Sequence, residues 1–346
     1  MSQSSAAVPS AAVTAAFDDA ARSRASAVVV HLHPAGAAPA LASDRIAGAL
    51  STCGSVLDTE TVDSAAPDEK GDPTVGLAGR RFAVAGADVA SLRAVADDLL
   101  AAADVPSPRS WADRGRTGET LAVVPAGVFA APRKLLVMDV DSTLIQQEVI
   151  ELLAAHAGRE EEVAAVTEAA MRGELDFAQS LHARVEALAG LEASVVEDVR
   201  RSVRLSPGAR ALVAAFRVAG HRVGVVSGGF IQILRPLADD LGLDFAVANE
   251  LEIVDGRLTG RVVGDVVDRA AKESCLRRWA DESGVPLEAT IAIGDGANDL
   301  DMVLAAGLGI AYCAKPALAA EAAARIDLPR LDAALELAGV ARPSVA

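Results

Sequence analysis

A continuous apolar run that ends in acidic residues, KLLVMDVD (134–141), constrains the fold of this chain more than any other segment. A run without polar alternation is typical of a strand buried on both faces, as in a parallel sheet covered by helices. Carboxylates at its end then lie at the carboxyl edge of the sheet, where open α/β sheets bind ligands. The run therefore predicts an α/β domain with a ligand site around Asp139 and Asp141.

The residues that follow this strand extend the prediction to a complete domain. From about 144 to 219 the apolar residues recur with helical period. Strand patterns then resume at 221–227, 245–249 and 290–295. Asp255-Gly256 predicts a hairpin turn, because both residue types tolerate positive φ. We predict a doubly wound, Rossmann-like parallel sheet over 134–346, with a helical cap inserted after its first strand at about 145–205.

A weaker alternation precedes this domain and has the order β-α-β-β-α-β. Its strand and helix patterns fall at 27–33, 41–50, 55–62, 80–87, 88–103 and 121–125. Order and size predict a small, ferredoxin-like α+β domain over 25–125. Pro and Gly favour a linker at 126–133, and the Ser-, Ala- and Pro-rich residues 1–24 predict a flexible tail.

The charge balance excludes several classes of partner. With 48 acidic and 32 basic residues the formal net charge is −16, which repels nucleic-acid phosphates and anionic lipid, so neither is expected as a partner. The longest uncharged stretch (26–43) contains two histidines and two prolines, so no membrane span is predicted. Three widely spaced cysteines favour a reducing, cytoplasmic location. Only four basic residues are lysines: Lys70, Lys134, Lys272 and Lys315.

Two more polar strings follow predicted strands, SGGF (227–230) and GDGAND (294–299). A hydroxyl followed by unhindered amides at the start of a helix suits a phosphate. Either string alone is also an ordinary turn, but with DVDST (139–143) they predict one site at one sheet edge. Because its close carboxylates repel each other, the site implies a hard cation such as Mg²⁺. Lys272 is a candidate counter-charge for a phosphate there, although a lone helical lysine is most often solvated.

Together DVDST, SGGF, Lys272 and GDGANDLDM resemble the haloacid dehalogenase superfamily of phosphotransferases. Longer segments resemble the phosphoserine phosphatase branch of that superfamily: LLVMDVDSTLIQQEVIELLAAHAG, MRGELDFAQSLHARV and IGDGANDLDMVLAAGLGIAYCAKP. The similarity covers roughly 200 residues, from Lys134 nearly to the end, and the motif set is highly specific. It implies Mg²⁺-dependent hydrolysis of O-phospho-L-serine to L-serine and phosphate, the last step of serine biosynthesis.

The resemblance also implies catalytic and metal-binding residues. Asp139 matches the nucleophile that forms an aspartyl-phosphate, and Asp141 matches the proton donor that later activates water. Mg²⁺ would be held by Asp139, the Val140 carbonyl and Asp295, with the Asp141 backbone as the less favoured alternative. Asp299 would support the metal's water shell or orient Lys272.

A second set of matching positions concerns the substrate. Glu148 matches the position facing the ammonium group, and Arg184 matches the position binding the carboxylate. Met171 and Phe177 match apolar residues of a mobile cap. The positions that match phosphate-pocket residues are Ser227, the Gly228 amide, Lys272 and Asn298.

Other interpretations stay open at this point. The substrate could be another small phosphomonoester, although only an amino-acid phosphate needs both Glu148 and Arg184. A non-catalytic amino-acid sensor is disfavoured by the intact acidic set. The N-terminal domain resembles ACT-like domains through its element order alone, so amino-acid binding, homodimer formation and a packing role remain equally open. The sequence assigns no role to Lys315.

Overall fold

The computed structural model of the protein describes residues 23–64, 76–103, 118–171 and 176–342, with the backbone alone for 168–171. The expected tail falls almost entirely outside these ranges, as does Lys70. Within them, no helix combines the length and the apolar character needed to cross a membrane.

The N-terminal part forms an antiparallel sheet with strand order β2-β3-β1-β4. Its strands are β1 (Ala27–Pro34), β2 (Ser55–Ser64), β3 (Leu77–Ala85) and β4 (Thr120–Pro125), and its helices are α1 (Ser43–Leu50) and α2 (Val89–Ala102). Asp88 caps α2 by accepting a hydrogen bond from the Ser91 amide. The predicted ferredoxin-like element order is confirmed.

Strand β1 of this sheet is buried on both faces. Val29 packs in one apolar cluster with Ile46 and Leu92 of the two helices. The alternate side chains, Val28 and Val30, belong to the cluster that contains the core of the second sheet. Because successive side chains of a strand point to opposite faces, β1 joins both cores.

The second sheet has seven strands in the described part, ordered β11-β10-β9-β5-β6-β7-β8 and parallel except for the β7–β8 pair. The strands are β5 (Leu135–Met138), β6 (Arg222–Phe230), β7 (Phe245–Val254), β8 (Arg257–Val263), β9 (Thr290–Gly294), β10 (Leu308–Tyr312) and β11 (Ala324–Ile326). The predicted hairpin turn is confirmed, since Asp255 and Gly256 have φ of 49° and 74°. All four residues of β5 are buried at the centre of the sheet, as its unbroken apolar run predicts.

Helices cover both faces of this sheet and form a cap beyond its edge. The short helix α3 (Ala126–Ala130) occupies the expected linker. The cap helices are α4 (Val149–Ala157), α5 (Glu160–Met171), α6 (Phe177–Glu186) and α7 (Ser194–Ser202). The remaining helices are α8 (Ala209–Val218), α9 (Ile231–Leu241), α10 (Arg269–Ser283), α11 (Leu300–Ala305), α12 (Pro316–Ala319) and α13 (Ala334–Ala338). The predicted doubly wound sheet with a helical cap after its first strand is confirmed.

A chain of ion pairs joins the N-terminal sheet to helix α13 of the C-terminal part. Arg81 on β3 pairs with Glu60 on β2 and also with Glu336 on α13. Glu336 pairs in turn with Arg342, which reaches Asp332. The three carboxylates are buried, so each depends on its arginine partner for charge compensation.

Candidate active site

The site begins where β5 ends. The Asp139 amide donates a 2.9 Å hydrogen bond to the Ile293 carbonyl of β9, which continues the pairing of the two strands and fixes the start of the loop. A tight turn follows, closed by the Ile145 amide donating to the Val140 carbonyl. Ser142 has a φ of 56° within this turn, a left-handed conformation uncommon for residues other than glycine. The turn leaves the side chains of Asp139 and Asp141 beside the same cavity.

Asp141 is held from two directions. One carboxylate oxygen accepts hydrogen bonds from the Val149 amide (2.7 Å), and the other from the Ser227 hydroxyl (2.9 Å). Ser227 is itself fixed by the Gly229 amide at 2.7 Å. A side chain at Gly229 would lie 2.8 Å from Asp141 Oδ2. The SGGF string thus positions Asp141, and its second glycine makes the close approach possible.

Lys272 lies beneath the cavity and does not line it. Its Nζ donates 2.7 Å hydrogen bonds to Asp139 Oδ1 and to Asp299 Oδ1. Burial disfavours the ammonium, but the two carboxylates outweigh that effect and raise the pKa of Lys272. The lysine is therefore a charged link between the DVDST and GDGAND strings.

The GDGAND loop adds two further buried carboxylates. Asp299 Oδ2 accepts hydrogen bonds from the amides of Asp295 and Gly296, both at 3.1 Å, so both oxygens of Asp299 are used inside the protein. The Oδ2 atom of Asp295 is buried without a hydrogen bond. Oxygens from Asp139, Asp295 and Asp299 lie within 4.8 Å of one another. This donor set fits a hard cation such as Mg²⁺, since it offers carboxylate oxygens, one of them buried without a hydrogen bond.

A cavity of about 210 Å³ opens above these groups. Its described lining residues are Asp139, Asp141, Glu148, Ile150, Phe177, Leu181, Arg184, Gly228, Gly229, Asp295, Asn298 and Lys315. The core contributes three aspartates and the two glycines. The cap contributes Glu148 and Ile150 at the start of α4, and two apolar side chains and the Arg184 guanidinium from α6. The cavity therefore offers polar groups on one side and a partly apolar cover on the other.

The cap side chains have defined contacts. Glu148 accepts a 2.8 Å hydrogen bond from the Ser142 hydroxyl, so the turn after β5 also orients this carboxylate. Arg184 Nε donates to the Ser180 carbonyl at 3.2 Å, leaving the rest of the guanidinium for the cavity that it lines. The ring of Phe177 lies close to the backbone of the SGGF string: a Cβ at Gly228 would be 3.0 Å from this ring.

Burial and mutual repulsion dominate the electrostatics. Burial, followed by repulsion from Glu148, raises the pKa of Asp141 to about 7. Burial raises the pKa of Asp295 to about 6, although the nearby Lys315 works in the opposite direction. Burial and then Asp299 raise the pKa of Asp139, opposed by Lys272. Asp141 can therefore carry a proton near neutral pH, while the carboxylate of Asp139 is held by the Lys272 ammonium.

Most residues singled out in the sequence are brought together here. Ser227, Lys272 and Asp299 lie behind the lining residues and hold them in place. The Met171 side chain lies outside the described residues. Sequence reasoning missed the contact of Ser142 with Glu148 and the position of Lys315 at the cavity. The rarity of lysine was the signal that could have marked Lys315.

Comparison with known proteins agrees with this architecture. The family model described as haloacid dehalogenase-like hydrolase matches residues 136–303. A phosphoserine phosphatase of Streptococcus thermophilus is 50% identical over 203 residues, which are 59% of this chain and 94% of that protein. This chain belongs to the haloacid dehalogenase-like hydrolases.

Other similarities to this hydrolase extend beyond the matched region. A phosphoserine phosphatase of Streptomyces coelicolor is 62% identical over 228 residues, 66% of this chain and 56% of that protein. The hydrolase therefore spans little more than half of that relative's length. The solved unliganded structure of a "probable phosphoserine phosphatase" from Vibrio cholerae superposes with a TM-score of 0.65 at 32% identity, covering 92% of this chain and 88% of that one.

Proposed function

We propose that this hydrolase converts O-phospho-L-serine to L-serine and inorganic phosphate. One observation carries the proposal: a single cavity presents the Asp139–Asp141 pair together with a carboxylate, Glu148, and a guanidinium, Arg184. The first pair suits phosphoryl transfer, and the second pair matches the ammonium and carboxylate groups of an amino acid. The names of the Streptomyces and Streptococcus relatives support the same substrate.

Each catalytic carboxyl has a separate task in this reaction. Asp139 attacks phosphorus, so that a bond from its oxygen to phosphorus forms while the bond from phosphorus to the serine oxygen breaks. Asp141 gives its proton to the departing serine oxygen and then accepts a proton from the water that hydrolyses the aspartyl-phosphate. A pKa of about 7 suits both halves of this exchange, because protonated and ionised forms coexist near neutrality.

The remaining core residues keep these two groups in place. Lys272 holds the Asp139 carboxylate through its 2.7 Å hydrogen bond. The Gly228 amide and Asn298 offer donors toward the phosphate at the cavity wall. Ser227, whose hydroxyl is bonded to Asp141, orients the proton donor. Phe177 and the other apolar cap residues exclude water from the reacting atoms.

Mg²⁺ fits the site through Asp139 and Asp295, with Asp299 holding the loop from behind. Of the two backbone carbonyls considered as further ligands, that of Val140 already accepts the Ile145 amide, which favours the Asp141 carbonyl. When bound, the ion offsets the repulsion between the phosphate and the carboxylate of Asp139.

Removal of divalent metal should abolish phosphate release. Treatment with EDTA is expected to lower activity on phosphoserine to background, because the cavity walls are dominated by carboxylates that repel the substrate. Added Mg²⁺ should restore activity and raise the melting temperature, and Asp295→Asn should weaken that thermal shift. Undiminished activity in EDTA would refute the metal assignment.

Substrate preference tests the role of Glu148. Glu148→Gln is expected to lower kcat/KM for phosphoserine about a hundredfold, because an ammonium group loses its charged partner. The value for p-nitrophenyl phosphate, which has no ammonium group, should change less than threefold. Steady-state kinetics with both substrates measures the difference.

Glu151→Gln is the matched control for this test. Glu151 lies in the first turn of α4, three residues after Glu148, and near Arg184 but outside the cavity lining. Its replacement should therefore leave the hydrolysis of both substrates unaffected. A wild-type enzyme that shows no preference for phosphoserine would support another phosphomonoester as substrate. A wild type that hydrolyses neither compound would support a non-catalytic sensor.

We also propose domains at 25–125 and 134–346, joined by 126–133. Supporting this division, the first sheet ends at Pro125 and the second begins at Leu135. None of the three cysteines, which all lie within the described residues, forms a disulfide, and this supports a reducing, cytoplasmic setting. Homodimer formation through the N-terminal domain is a further proposal that sedimentation can test.

A further inference from the structure

Positive charge is scarce in the cavity. The described lining residues include four carboxylates but only two cations, Arg184 and Lys315. Lys272 is fully buried below and already bonded to two carboxylates. Among the described residues, Arg184 and Lys315 are therefore the protein cations that an anionic substrate meets when it enters.

The position of Lys315 is set by the GDGAND loop. Its amide donates a 2.8 Å hydrogen bond to the Asp295 carbonyl, which fixes its backbone beside the loop. Its Nζ lies 3.4 Å from Asp295 Oδ2, and a Cβ at Gly296 would lie 3.7 Å from this nitrogen. Because 65% of the side chain is exposed, the ammonium lies at the mouth of the cavity on a mobile stem.

The two cations come from different parts of the protein. Arg184 comes from cap helix α6, the helix that also carries Phe177. Lys315 comes from the core, on the side of Asp295 and Asn298. Lys315 contacts Asp295, and carboxylate oxygens of Asp295 and Asp139 lie within 4.8 Å of each other. A phosphate beside Asp139 is therefore within reach of the Lys315 ammonium.

We propose that Lys315 binds the phosphate group of the incoming substrate, an inference that rests on the proposed phosphatase function. The compact ammonium is suited to a phosphate as a point charge. Its contact with Asp295 is a long one, 3.4 Å between Nζ and Oδ2, which the Nζ can exchange for a contact with a substrate oxygen.

The substitution Lys315→Gln tests whether Lys315 binds the phosphate group or another part of the substrate. KM is expected to rise about tenfold, and by the same factor, for phosphoserine and for p-nitrophenyl phosphate, which share only the phosphate. The inhibition constant of inorganic phosphate should rise equally, while kcat changes less than threefold. Lys315→Arg should restore most of the affinity because it keeps the charge.

Arg269→Gln is the matched control. It removes one partly exposed positive charge from the start of α10, where Arg269 pairs with Asp301 outside the cavity. Both KM values should stay within twofold of wild type, because general attraction by a surface charge is screened.

Three results would overturn the inference. An unchanged KM and phosphate inhibition constant in Lys315→Gln would show that Lys315 does not meet the phosphate. A fall in kcat alone would show that Lys315 positions Asp295. A rise in KM for phosphoserine alone would show that Lys315 contacts the amino-acid end of the substrate. Failure of the proposed function is a separate outcome, because wild type would then show no preference for phosphoserine.

Discussion

Asp139→Asn is expected to lower phosphate release from phosphoserine by at least about a thousandfold while the protein stays folded. An amide of the same size cannot serve as the nucleophile. The substitution also removes one of several carboxylates that repel one another in the site. Phosphate release measured at saturating substrate gives the loss, and circular dichroism confirms the fold.

Binding provides the control for this variant. Calorimetry should show that Asp139→Asn still binds phosphoserine, since the cavity residues Glu148, Arg184 and Lys315 are unchanged. Asp141→Asn should also be inactive, but through loss of the proton donor. Phosphate release at the wild-type rate from Asp139→Asn would contradict the proposed aspartyl-phosphate.

Lys272→Met is expected to destabilise the protein by about 3–5 kcal/mol, because it leaves two buried carboxylates without their counter-charge. Both Asp139 and Asp299 accept hydrogen bonds from this ammonium, and all three side chains are almost fully buried. Activity should be lost as well, since the nucleophile is no longer held. Urea unfolding measures the change in stability.

A second substitution separates charge from packing. Adding Asp299→Asn to Lys272→Met should recover part of the lost stability, because one buried charge is removed while an oxygen remains for the amides of Asp295 and Gly296. Lys315→Met, at a mostly exposed lysine, should change stability by no more than about 0.5 kcal/mol. Equal stability of Lys272→Met and wild type would contradict the buried-charge account.

Much of the site could be predicted because its residues follow strands. An uninterrupted apolar run identifies β5, and the ends of parallel strands meet at one sheet edge, so Asp139, Ser227 and Asp295 had to lie near one another. The two-residue spacing of Asp139 and Asp141 also predicted one shared cavity, although a tight turn after β5 brings the two side chains there, not a continued strand. These predictions needed only periodicity and topology.

The burial of individual side chains and their hydrogen-bond partners could not be predicted in the same way. The rarity of lysine pointed to Lys272, but the helical pattern of α10 did not show that this lysine lies beneath the cavity between two carboxylates. Lys315 reaches the site because β10 returns the chain to the same sheet edge after Asp295. The bond from Ser142 to Glu148 depends on a left-handed turn that residue types alone do not specify.

The ion-pair chain from Glu60 to Asp332 changes how the two halves of this protein should be regarded. In the Streptococcus thermophilus relative, 94% of the length is matched by only 59% of this chain. In this chain, Glu336 of α13 also forms an ion pair with Arg81 of the N-terminal sheet. Helix α13 thus carries a buried carboxylate, Glu336, whose charge is compensated by an arginine of the N-terminal sheet. The two halves are separate in topology but interdependent in electrostatics.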